Sequence, residues 1–146
     1  MILLSFFFFT LGAGYTMLRW GVQKSISITF YEHENKALWY LWFLSFTLPL
    51  LPLIDHWLLL LAIGCIILVG AAPNFRGTKI EEYAHIGGAY LGIIFAFLYL
   101  VVKGEYITPA IMAAFTGFAV WKLKNKTHWI EVAALYLALF GLYLLR

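Results

Sequence analysis

Between Trp57 and Phe75, nineteen residues pass without an Asp, Glu, Lys or Arg, and between Tyr83 and Val102 a further twenty do the same. Runs of this length are what a bilayer requires. At about 1.5 Å rise per residue, roughly 20 apolar residues cross a hydrocarbon core of about 30 Å. A helix can make such a crossing because all its backbone hydrogen bonds close within the segment. With 64% hydrophobic and 12% charged residues, the 146-residue chain is excluded from the ordinary soluble domains. Six segments approach spanning length: Ile2–Trp20, Lys36–Ile54, Trp57–Pro73, Ala84–Val102, Ile107–Trp121 and Trp129–Leu145. The fold expected is therefore all-α, a polytopic transmembrane bundle of six helices with short loops, forming a single domain over residues 1–146. The first segment lacks a basic leader and a clean cleavage site, so it is expected to stay as a helix and not to act as a signal peptide.

Orientation comes from the basic residues. Of the ten Lys and Arg, eight fall in the first, third and fifth connections: Arg19, Lys24, Lys36, Arg76, Lys79, Lys122, Lys124 and Lys126. Lys103 and Arg146 alone fall on the other side. The positive-inside rule makes the odd connections cytoplasmic and puts both termini on the non-cytoplasmic side, in a bacterial inner membrane. Trp20, Trp39, Tyr40, Trp57, Tyr106, Trp121 and Trp129 sit at segment ends and read as an aromatic belt.

The polar residues gather at the cytoplasmic end. In the fourth segment Glu81 and His85 are four apart and share a helix face, next to the small-residue row Ala84, Gly88, Gly92 and Ala96. The sixth repeats the pattern, with His128 three residues before Glu131 and a row of Ala134, Ala138 and Gly141. The fifth offers Ala110, Ala113, Ala114 and Gly117 as a matching surface. Helices four, five and six are thus expected to pack together. Helices one to three, rich in Phe, Trp and Leu, are expected at the periphery. His33, flanked by Glu32 and Glu34, joins the same end.

Imidazole and carboxylate are both zinc ligands, and two helices that each present one pair supply a four-ligand site from Glu81, His85, His128 and Glu131. The plainer account has the carboxylates favoured by the positive ends of their helices. On the opposite side, Asp55 is expected to cap the third helix, or else to form an Asp–His pair with His56 at the membrane edge. Prolines 49 and 52 are expected to kink the end of helix two. The alternating segment Ser25–Tyr31 suits an interface, half in water and half in lipid. Arg76 and Lys79 form a basic loop obeying the topology rule, or a cradle for a lipid phosphate. The single cysteine, Cys65, excludes an internal disulfide. The chain has no phosphate-binding glycine loop, nucleophile elbow, CxxC or HExxH.

The order Ser25-Ile-Ser27, Tyr31, Asp55, Gly70-Ala-Ala-Pro73 and then His85 resembles small members of the alkaline ceramidase and progestin/adiponectin-receptor-like superfamily of membrane hydrolases. The likeness covers residues 25–95. It implies a zinc-dependent cleavage of lipid amide bonds, with Ser27, Asp55 and His85 as the catalytic set. The chain departs from that pattern in having six helices in place of seven and no late His-xxx-His pair.

Three functions follow as expectations. The first is a non-catalytic helical bundle acting as a subunit or interaction partner in the membrane, with its Glu/His cluster at the cytoplasmic end. The second is a metal (zinc)-dependent intramembrane hydrolase acting on a lipid amide or ester. The third is a proton- or metal-coupled carrier, ranked last because mid-depth positions carry almost no ionisable residues. Partners expected are the bilayer, a lipid substrate or a membrane protein, and further copies of the chain, but no nucleic acid.

Overall fold

The computed structural model describes residues 1–26, 36–71 and 79–146; the side chains of Lys36, Glu81 and Glu82 lie outside that description. Among the described residues the chain forms six helical rods and no strand. Helix α1 is Ile2–Trp20. Helix α2, Lys36–Thr47, continues as the 3₁₀ helix Leu48–Leu53. Helix α3 is Trp57–Ala71. Helix α4 covers 79–102 in three parts: Lys79–Glu82, a π turn at Tyr83–Gly87, and Gly88–Val102. Helices α5 and α6 are Ile107–Lys122 and Lys126–Leu144. Three stretches, Ile2–Trp20, Tyr83–Val102 and Lys126–Leu144, are long and apolar enough to cross a membrane; the other three helices are shorter and apolar.

The boundaries have local causes. Prolines 49 and 52 each remove a backbone donor, and α2 tightens there into the 3₁₀ form. Gly21 ends α1 at φ 71° and Gly104 turns the chain before α5 at φ 86°, backbone that glycine adopts at little cost. Glu105, buried at that turn, accepts from the amides of Ile107 and Thr108 at 2.9 and 3.0 Å and from the Thr108 hydroxyl. It supplies the free amides at the start of α5 with partners.

The most extensive helix pairing is α3 with α4. A Cβ on Gly88 would stand 3.1 Å from the Cys65 carbonyl oxygen, and one on Gly92 would stand 3.2 Å from the Cys65 Cβ. Gly88, Gly92 and Ala96 are buried, as the small-residue row leads one to expect. Ala84, inside the π turn, is half-buried. The glycine row of α4 seats on α3; α5 and α6 pack together as expected, and α6 meets α4 and α5 at Gly141, where a Cβ would stand 2.5 Å from a Leu100 side-chain carbon and 2.7 Å from the Thr108 hydroxyl. Helix α5 turns Thr108, Met112 and Ala119 to the bundle; at about 100° per residue these fall within roughly 40° of one another. Ala110, Ala113, Ala114 and Gly117 lie on the far side and are exposed, so the matching surface expected there is not used.

Nor are the first three helices peripheral. The core joins Phe9 of α1, Trp39, Phe43 and Phe46 of α2, and Leu58, Leu59 and Ile63 of α3 to Leu100 of α4 and Leu139 of α6. Phe9 packs edge-on to Phe46 and to Tyr136, with ring centroids at 5.4 and 5.0 Å. Large rings fill space between helices that small residues leave open elsewhere, and both kinds of surface bury well. Trp39 accordingly belongs to the core and not to an end belt, whereas Trp57, Tyr106 and Trp121 are exposed. The buried hydroxyls of Thr16 and Thr47 donate back to carbonyls of their own helices, Ala13 and Phe43, both at 2.8 Å.

Helix α3 offers an internal comparison. A Cβ on Gly70 would meet Cβ and Cγ of Phe43 at 2.7 Å, whereas one on Gly64 meets open space. In purified protein, Gly70→Ala is expected to lower the thermal unfolding midpoint, with overpacking costing about 1–3 kcal/mol. Gly64→Ala is expected to hold or raise it, since alanine gains up to about 1 kcal/mol in a helix.

Candidate functional site

At the start of α6 three hydrogen bonds tie the segment after α1 to the helix. The Asn125 side-chain amide donates to the Val22 carbonyl at 2.7 Å, and the His128 backbone amide to the Lys24 carbonyl at 3.1 Å. The Ile26 amide donates to Glu131 Oε2 at 2.7 Å. Every second residue from 22 to 26 thus meets every third from 125 to 131. Asn125 adopts the left-handed backbone, φ 54° and ψ 42°, which asparagine tolerates better than most residues. The amide of His128 lies in the first turn of α6, where no intrahelical acceptor exists, so the Lys24 carbonyl fills a need that any helix start presents.

Ser25 and Ile26, within this tied segment, are both buried. At these two positions the chain therefore lies against the bundle, and not with one side in water as its alternation predicts; residues 27–31 lie outside the described residues.

Beneath Ile26 a narrow cleft of about 60 Å³ opens between α2, α3, α4 and α6. Its walls are apolar, with Phe43, Ile66, Val69, Ile93 and Leu135 among them, and Glu131 is the one ionisable residue on them. The small side chains of Ala89, Ala134 and Ala138 leave the space open. His128, one turn before Glu131, is 1% exposed; the Ser25 backbone lies beside its ring, but neither ring nitrogen makes a well-formed hydrogen bond among the described residues. A buried imidazole in that condition forgoes the bonds it would make to water, a cost of about 1–3 kcal/mol.

The other proposed site residues are scattered. Ser27 and His33 lie outside the described residues, as does Arg76. His85 is half-buried in the π turn of α4. Four residues on, Ala89 lines the cleft, so His85 belongs to the Glu131 end of the bundle. The π turn breaks the α spacing from which Glu81 and His85 were expected to share a face. Among the described residues no three of His, Cys, Asp and Glu come close enough to hold a metal ion. The backbone of Glu81 is described, its side chain is not.

Asp55 sits at the opposite end. Its carboxylate accepts from the Tyr99 hydroxyl at 2.9 Å and from Lys103 Nζ at 2.8 Å, joining the α2–α3 reversal to α4. The cap expected from Asp55 is made by its neighbour, since His56 Nδ1 accepts from the Leu58 amide at 3.2 Å. Tyr99 is fourteen residues beyond His85 on the same helical rod, about 21 Å along the axis. Asp55 and His85 therefore do not meet. Tyr99 and Lys103 were legible as neighbours on one helix face, but the pairing with Asp55 depends on how α3 and α4 are set beside each other.

Comparisons with family models, with curated proteins and with solved structures give no match to this chain.

The hydrogen bond from Lys103 holds the Asp55 carboxyl below its ordinary value of 3.8, with the Tyr99 hydroxyl adding to the effect. A carboxyl whose folded value is depressed stabilises the fold above its unfolded value and stops doing so as pH falls through the folded one. Both partners are partly exposed, so the contribution is small. Unfolding midpoints taken between pH 7 and pH 3 should fall most steeply for wild type below about pH 4. Asp55→Asn should start lower and show a shallower decline; equal acid sensitivity would remove this latch from the account.

Proposed function

We propose that this chain is an integral membrane bundle that works by binding, as a subunit or interaction partner, and performs no catalysis. The observation that carries this reading is the use of the three acidic side chains among the described residues: Glu131 holds the Ile26 amide, Asp55 holds Tyr99 and Lys103, and Glu105 caps α5. Each carboxylate secures a junction between elements, and those of Asp55 and Glu131 do so at opposite ends of the bundle. The exposed apolar residues on all six helices, Leu18, Leu41, Leu60, Ile94, Ile111 and Tyr143 among them, suit a lipid environment. In this reading six helices lie in a bacterial inner membrane with both termini outside, supported by the eight-to-two distribution of Lys and Arg. The Glu131 end is then cytoplasmic. Reporter fusions at the C-terminus should show the external signature, and a cytoplasmic one would overturn that orientation.

A second reading, a zinc-dependent hydrolase of lipid amides or esters in line with the ceramidase-like resemblance, draws support from one feature. His128 is buried with neither ring nitrogen in a well-formed hydrogen bond among the described residues and only the Ser25 backbone beside the ring, an imidazole still able to take a metal. The described residues do not complete such a site.

The two readings part on a single variant. If His128 is only a buried side chain, His128→Leu removes a polar group without a well-formed hydrogen bond and raises the unfolding midpoint, with zinc below stoichiometric in purified wild type. One zinc per chain in wild type, lost in His128→Leu together with stability, would overturn the non-catalytic reading.

A further inference from the structure

A larger space lies between α1 and α2, on the outside of the bundle. It is a groove of about 440 Å³, within the range of about 300–1,000 Å³ that small-molecule sites occupy. Trp42 fixes its floor. The indole donates to the Phe8 carbonyl at 2.9 Å, and the ring lies so close on α1 that a Cβ on Gly12 would overlap it. Phe8, Leu11 and Tyr15 form one wall, and Leu38 and Leu41 the other, with the small side chain of Ser45 one turn beyond Trp42. Leu11, Leu38 and Leu41 are exposed, so the groove opens away from the core. The same face of α1 ends in a cation. Arg19 follows Phe8 by eleven residues, which at about 100° per residue brings it within roughly 20° of the same direction. Helical side chains lean toward the N-terminus, so the stem of Arg19 lies over the turn that holds Tyr15. Its guanidinium stands 6.0 Å from the centre of the Trp20 ring, on which Tyr15 packs edge-on at 5.7 Å. From Phe8 to Arg19 is about 16 Å along the axis, and one leaflet of a hydrocarbon core of about 30 Å is about 15 Å deep. The groove with its terminal arginine therefore has the depth of a single leaflet.

We propose that this groove holds one acyl chain of an anionic phospholipid from the leaflet at the Arg19 end, with the lipid phosphate on the Arg19 guanidinium. The proposal rests on the reading of the chain as an integral membrane protein and names a lipid that it binds. The planar fork of a guanidinium suits two phosphate oxygens. The rings of Trp42 and Phe8 and the leucine side chains offer a methylene chain many close contacts, each small and together large. A cation at one end and the depth of one leaflet fit a lipid. A helix from a second copy would cross both leaflets and find a groove for half its length only. In the orientation proposed above, the leaflet is the cytoplasmic one.

The test uses the full chain in a nonionic detergent, with phosphatidylglycerol as the probe and phosphatidylcholine of the same acyl chains as the comparator. Both should raise the unfolding midpoint saturably. Phosphatidylglycerol should do so at about five-fold lower concentration, the factor that one basic side chain brings toward an anionic lipid. Arg19→Gln should bring phosphatidylglycerol to the level of phosphatidylcholine. Lys122→Gln, which removes the exposed cation that ends α5 at the same end of the bundle, should leave the preference intact. Ser45→Phe should fill the groove and abolish both responses. Wild-type protein that responds equally to the two lipids would overturn the proposal even if every variant misfolded. So would a preference that Arg19→Gln keeps, or that Lys122→Gln loses to the same extent. A lipid-indifferent protein that runs as a dimer would overturn it in favour of a second copy on this face. Retention in carbonate-washed membranes separates the two conclusions. A chain that washes off defeats the membrane reading, whereas a retained chain indifferent to both lipids defeats the groove proposal alone.

Discussion

The bond from the Ile26 amide to Glu131 is the contact on which the arrangement of this end of the bundle depends. It lies 105 residues apart in sequence and fixes the segment after the first helix to the last one. Two companions, from Asn125 to Val22 and from His128 to Lys24, make the attachment directional. The strength of such a bond grows where water is excluded. The same carboxylate forms part of the wall of the cleft, so the residue that closes the structure here also sets the polarity of the space it encloses.

At the other end Asp55, Tyr99 and Lys103 do the corresponding work between the α2–α3 reversal and α4. Between the two ends lies an aromatic and aliphatic core in which the buried hydroxyls of Thr16 and Thr47 bond back to their own helices. Polar contacts at the ends and dispersion in the middle match what a bilayer would impose, since hydrocarbon gives buried apolar side chains little reason to prefer one another except through close packing. The glycines of α3 and α4 supply that closeness, and the rings of α1 and α2 fill the wider gaps.

Helix type and number were legible because charge-free runs and prolines act locally. Trp57 as the start of α3, Ile107 as the start of α5 and the tightening at prolines 49 and 52 all follow from nearby residues. Which helices touch was not legible in the same way. Gly88 and Gly92 announce a close approach but do not name the partner, which is α3. On α5 the small residues Ala113 and Gly117 form an equally good row, yet the helix turns Thr108 and Met112 inward. Periodicity describes a face and leaves open where the face goes. Glu131 was picked out for its spacing from His128, but its bond to Ile26 and its place in a cleft belong to tertiary structure. Asp55 was read as a local cap because local capping is common, whereas a lysine 48 residues away holds its carboxylate.

The π turn at Tyr83–Gly87 amounts to one residue more than an α-helix of the same length would hold. An added residue rotates everything on one side of it by about 100° relative to the other. The turn therefore acts as a phase adjuster: the glycine row beyond it can keep its seating on α3 while Lys79–Glu82 is aimed independently. Through that one extra residue, the polar start of α4 faces a direction that an unbroken helix would have given to other residues.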